Sequence, residues 1–96
     1  MTMGYFALIY DVGDDFVSRR QPFRPVHLEA VTAAHARGDI VMAGAIGDPP
    51  AGALLIFRGD GPQAAEAFAT ADPYVVQGLV TKWRVLPWTV VVGQES

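Results

Sequence analysis

The chain has no cysteine, which removes disulfides, thiol nucleophiles and thiolate metal sites together. Histidine is nearly as scarce, so any imidazole chemistry falls on His27 or His35. Charge is low: 18% of residues are charged, seven basic against ten acidic, for a net charge of -3. No basic stripe runs along any segment, which argues against a nucleic acid or an anionic membrane as partner. Long apolar runs are also missing. Tyr5 to Tyr10 is the longest early one, too short for a signal segment or a membrane span, and Asp11 ends it. The expected setting is the cytoplasm.

What the chain does have is apolar content, 51% of 96 residues, well beyond the composition of disordered chains. The length suits one domain over residues 1–96. A domain of that size buries roughly 60–65% of its unfolded surface, so its core is modest.

Apolar runs alternate with helix-like stretches. Tyr5 to Tyr10 reads as a first strand, followed by a polar connection from Asp11 to Phe23. At about a dozen residues this connection is long enough to be a functional loop or to hold a helical turn. A helix is predicted from Pro25 to Arg37, with Pro25 opening it, Phe23 and Leu28 spaced as a hydrophobic staple, and Gly38 as the stop. Ile40 to Ile46 reads as a second strand and Ala53 to Phe57 as a third, joined by the turn-rich Gly47 to Gly52. An Ala-rich helix follows over Gln63 to Ala71, then a short one over Pro73 to Leu79 with Asp72 as its cap. The last strand runs from Thr81 to Val92, and Pro87 marks it as an edge or a bulge. The order β-α-β-β-α-β is that of the split βαβ, ferredoxin-like α+β fold, a four-stranded antiparallel sheet with helices on one face.

A sheet covered on one face should alternate apolar and polar residues. These strands do not. Tyr5, Ala7 and Ile9 oppose Phe6, Leu8 and Tyr10, while Leu54 and Ile56 oppose Ala53, Leu55 and Phe57. An exposed apolar face of that size calls for a cover. A homodimer formed through the open sheet faces supplies it, and the alternative is a monomer shielded by its tail or long loop. Sequence leaves open which set of residues faces outward, because a one-residue slip in register exchanges the faces.

His27 falls near a helix start, where the dipole keeps imidazole neutral and suited to act as a base. The same position also fits a solvent-exposed histidine with no chemical role. Asp72 reads as a helix cap, and a capping carboxylate can still use its second oxygen to hold a histidine. His35, one turn from a helix end, is placed to meet the last carbonyls. Arg24 could grip an anionic substrate beside His27, or simply be solvated ahead of Pro25. Gly44 leaves room for a ligand to approach the second strand. No nucleotide loop, metal motif or serine elbow is present, so no cofactor and no metal are expected.

Several segments together resemble the YCII-related proteins. Arg24-Pro25-Val26-His27-Leu28 is similar to their R-x-x-H-L start, and Ala43-Gly44-Ala45 to their second-strand segment. Gly52-Ala53 resembles the small pair opening the third strand. Ala64-Ala65-Glu66-Ala67-Phe68, with Ala71-Asp72-Pro73-Tyr74 after it, resembles their next block, and Gly78-Leu79 and Pro87-Trp88 fit its close. After the second strand the chain departs from the family pattern, with a shorter, less polar Gly47-Asp48-Pro49-Pro50. The resemblance implies a dimeric α+β barrel related to muconolactone isomerases, with a His–Asp pair at His27 and Asp72. Some relatives act on aromatic rings, including dehydrochlorination of a chlorinated hydroxyquinol. The expected function is cofactor-independent acid/base chemistry, isomerase- or lyase-like, on a compact aromatic or lactone-like metabolite; Arg24 and Tyr74 are the candidate substrate contacts, with Gly44 allowing a ligand close to the strand. A small-ligand-binding or accessory module without turnover is the alternative.

Overall fold

The computed structural model describes residues 3–93. Strand β1 (Gly4–Val12) leads into a single helical turn α1 (Phe16–Arg19) and the long helix α2 (Arg24–Ala36). Strands β2 (Ile40–Ile46) and β3 (Gly52–Gly59) follow, then α3 (Gln63–Ala71), the short α4 (Pro73–Val76) and β4 (Val80–Trp88). The expected β-α-β-β-α-β order is present; α4 is the short helix expected after Asp72, ending at Val76 instead of Leu79, and α1 lies within the first connection. The strands form one antiparallel sheet in the order β2-β3-β1-β4. No helix among the described residues is long and apolar enough to cross a membrane.

The differences from expectation have local causes. The long connection after β1 starts two residues late, because β1 runs on to Val12, and it holds a helical turn, α1, anchored by the buried Phe16. Helix α2 starts one residue early, so Phe23 is its cap residue and Leu28 stays exposed; the staple register does not form. Strand β4 stops at Trp88 instead of Val92. Among the described residues its only partner is β1, and Trp88 pairs with Tyr5, one residue from the start of that strand. Pro87 sits within this edge strand, where one side of the ladder needs no N–H. Gly38 ends α2 as expected. Its φ is 88°, its N–H donates to the His35 carbonyl (3.0 Å), and that of Asp39 donates to Ala34 (2.9 Å), the paired bonds of a Schellman turn.

Register decides the faces. Leu8 pairs with Leu55 and Val85, and Tyr10 with Ala53 and Trp83, all toward the helices. There they meet Ala34, Ala65, Ala69 and Leu79 in one core. Ile9 pairs with Leu54 and Arg84, and Ala7 with Ile56 and Leu86, on the opposite face. Met42 (66% exposed), Leu86 and Trp88 (46% each) leave that face apolar and open. At Gly52 the sheet is tight: a Cβ would lie 2.8 Å from the Tyr10 carbonyl oxygen, so only glycine lets β3 close against β1 here.

Candidate active site

The site is assembled around Asp72. The residue takes an extended conformation (φ −65°, ψ 125°) between α3 and α4, and Pro73 opens the next helix. Its carboxylate accepts the Tyr74 backbone N–H at 3.0 Å, the expected cap. Oδ2 also accepts the Tyr10 hydroxyl at 2.7 Å. Both carboxylate oxygens lie 3.0 Å from His27 Nδ1. Three elements thus converge on one side chain that is 2% exposed. An ionised carboxylate only accepts, so Nδ1 carries the proton and Nε2 is left as the basic nitrogen.

The His27 ring is stacked on Tyr74, with centroids 3.9 Å apart and planes 10° from parallel. Phe16 meets Tyr74 edge-on at 5.4 Å, and the Arg20 guanidinium lies 5.4 Å from the Phe16 ring centre. These groups wall a cavity of about 280 Å³, together with Arg24, Leu28 and Val31. Its floor is built of small residues on β2 and β3, including Ala43, Gly44, Ala45 and Ala53. Gly44 contributes backbone only. It pairs with Leu54, so a side chain at this position would project to the open sheet face, where a Cβ meets nothing within 4 Å.

Two polar atoms here lack partners among the described residues. Arg20 Nε is buried and donates to nothing, and the buried Tyr74 hydroxyl has no acceptor for its proton, although the Arg24 guanidinium lies near its oxygen. Leaving such a group unsatisfied typically costs about 1–3 kcal/mol. Burial lifts the Tyr74 phenol above its ordinary pKa, and the nearby Arg24 and Arg20 charges, with donation from Arg24 to the phenol oxygen, pull it partly back. The hydroxyl therefore remains a donor. Burial likewise holds the Tyr10 phenol strongly protonated, helped by the Asp72 charge and by their hydrogen bond.

Of the residues singled out in the sequence, His27 and Asp72 meet directly, and Arg24, Gly44 and Tyr74 line the same cavity. His35 does not bond the end of its own helix. Its Nδ1 lies 2.8 Å from the Ile40 carbonyl oxygen and ties α2 to β2, while Asp39 pairs with Arg37 Nε at 2.9 Å. Sequence reasoning missed Tyr10, Phe16 and Arg20. Tyr10 carries a usable signal: it alternates in phase with Leu8, and a tyrosine on a core face needs a polar partner.

The sequence profile of the YCII-related domain matches residues 3–89. The chain belongs to the YCII-related family. Two relatives called Protein YciI, from Escherichia coli O6:H1 and Shigella flexneri, are each 33% identical over 86 residues, covering 80% of this chain and 88% of theirs. Among solved structures, this YCII-related chain is similar to the 5-chloro-2-hydroxyhydroquinone dehydrochlorinase (TftG) of Burkholderia phenoliruptrix AC1100 in complex with 2,5-dihydroxybenzoquinone. The TM-score is 0.73 at 19% identity, covering 88% of this chain and 93% of that one. That likeness establishes the shared fold.

Tyr10 offers a test of how the YCII-related site is held together. Tyr10→Phe leaves Asp72 one donor short, and stability at about pH 8 should fall by about 1–3 kcal/mol. The folded state keeps the Tyr10 proton, whereas the unfolded chain releases it above the ordinary 10.0. Wild type therefore loses that stabilisation as pH rises past 10.0, and Tyr10→Phe has none to lose. Urea unfolding at about pH 11 should show the gap reduced by about 1.4 kcal/mol. A gap unchanged between the two pH values would mean that the Tyr10 proton contributes nothing.

Proposed function

We propose that this YCII-related protein is a small cofactor-independent enzyme that moves a proton on a compact, aromatic or lactone-like metabolite. His27 is the general acid/base through Nε2. Asp72 fixes the tautomer and stabilises the imidazolium that forms during transfer. Arg24 and Tyr74 contact the substrate, and the Gly44 backbone forms part of the floor. The observation that carries this reading is the 3.0 Å approach of His27 Nδ1 to both oxygens of a buried carboxylate, at the wall of a cavity. A volume of about 280 Å³ is suited to a single-ring molecule. The structural relative TftG is a dehydrochlorinase of a chlorinated hydroquinone, and loss of HCl from such a ring also requires a proton to be moved.

The protein works as a homodimer in this reading. A second copy seated on the open sheet face covers Ile9, Met42, Leu86 and Trp88, which lie on the side of the sheet away from the helices.

Proton exchange tests the chemistry across several compound classes at once. The protein is incubated in D₂O with single-ring hydroxyquinones, phenols and lactones, and loss of carbon-bound proton signals is followed by NMR. Wild type should accelerate exchange for at least one compound class, and His27→Ala should not. Exchange insensitive to His27→Ala, or tight binding with no exchange at all, would leave a ligand-binding module in place of an enzyme.

A further inference from the structure

We infer that Arg20 and Tyr74 form an oxyanion site within the cavity, and that its ligand is a planar ring bearing an acidic oxygen, a phenolate or enolate. The inference deepens the reading of His27 as the acid/base and rests on it for turnover, though not for binding.

The two donors are the buried side-chain polar atoms that the fold leaves unpaired among the described residues. Tyr74 is 3% exposed, and its hydroxyl proton has no acceptor even with Arg24 beside the oxygen; the Arg20 Nε atom is enclosed and has no partner, although the rest of that side chain is half-buried. Buried donors without partners are uncommon and call for an explanation, of which an absent ligand is one. Both residues line the cavity. Arg20 belongs to the segment that follows α1, anchored by Phe16, so its position comes from the connection after β1 and not from the elements carrying the His–Asp pair. Arg24, on the same wall, adds a second positive charge.

The shape of the site selects among anions. His27, Tyr74 and Phe16 form an aromatic stack at the cavity, face to face and then edge to face. Small apolar residues of β2 and β3 line the same cavity. Aromatic rings and small apolar residues suit a flat ring, and one ring oxygen can accept from a guanidinium N–H and a phenol O–H together. Such charge-assisted bonds are stronger than neutral ones. The site thus stabilises the deprotonated ring, whose released proton passes to the buffer, and holds its carbon skeleton beside His27.

4-Nitrophenol is a suitable probe, because its anion is coloured and its methyl ether, 4-nitroanisole, cannot ionise. At a pH equal to the probe's own pKa, adding wild-type protein should raise phenolate absorbance to saturation, and 4-nitroanisole should bind more weakly. Tyr74→Phe keeps the ring that stacks on His27 and removes only the unpartnered hydroxyl. It should weaken phenolate binding about tenfold while leaving thermal stability unchanged or higher, a combination a purely structural hydroxyl would not give. Arg20→Met should weaken binding by at least as much, and if it fails to fold, Tyr74→Phe decides. No response from wild type, equal binding of the ether, or a response unaffected by Tyr74→Phe overturns the oxyanion site. Failure of the His27 reading looks different: proton exchange becomes insensitive to His27→Ala, while wild type keeps its phenolate response and Tyr74→Phe still weakens it.

Discussion

Replacing His27 with alanine is expected to lower kcat/KM by about 10²–10⁴-fold, the usual consequence of losing a general base, while the protein still folds. The fold survives because Asp72 retains two donors, the Tyr10 hydroxyl and the Tyr74 N–H, and is not left as an unpaired buried charge. Asp72→Asn isolates the charge. The amide keeps the shape and can still accept the Tyr74 N–H, so the α4 cap persists. Yet the amide group presents both donor and acceptor to His27, and nothing then compels Nδ1 to carry the proton. Activity should fall much further than stability, read as kcat/KM against the urea midpoint. An Asp72→Asn enzyme within about twofold of wild type would reduce Asp72 to a helix cap.

Adjacent lysine substitutions in β1 should have opposite consequences. Leu8 is 0% exposed beneath the helices. An ammonium there must be buried without a partner, a penalty of the order of the entire stability of a small domain, roughly 5–15 kcal/mol. Leu8→Lys should therefore yield no folded protein by circular dichroism. Ile9 points to the other face, between Leu54 and Arg84. Ile9→Lys can place its charge in water in the isolated chain, and only the pairing of two sheets opposes it. Sedimentation should find wild type as a dimer and Ile9→Lys as a folded monomer. A wild-type monomer at micromolar concentration, or a dimeric Ile9→Lys protein, would rule out pairing through this face.

The element order was legible because the punctuation is chemical. Gly38 stops α2 by adopting a left-handed conformation, and Asp72-Pro73 starts α4 by capping it; both signals act locally. Strand ends were less legible, because a strand stops where its partner stops. Nothing at Thr89 to Val92 announces that β1 has run out of residues to pair with. The His–Asp pair was visible as two residues with compatible local roles and through the family resemblance. Its third member, Tyr10, lies 62 positions from Asp72 and is joined to it only by the fold. Arg20 and Phe16 sit in a connection whose helical turn depends on burying one phenylalanine, and no periodicity marks it. Gly44 shows the limit of reading residue type alone: register turns its missing side chain away from the cavity it lines.

The cavity is divided between elements with different freedoms. The His–Asp pair is held by α2, the α3–α4 junction and the central strand β1. The floor is laid in part by β2, an edge strand with a single neighbour and an irregular register near Ile40. Shifting β2, or rebuilding the turn between Gly47 and Pro50, alters the size of the chamber without disturbing any hydrogen bond to Asp72. Acid/base machinery and ligand preference can therefore diverge separately. A lineage, or a directed-evolution library confined to residues 41–51, can explore new ring substituents while the proton-handling apparatus is inherited unchanged.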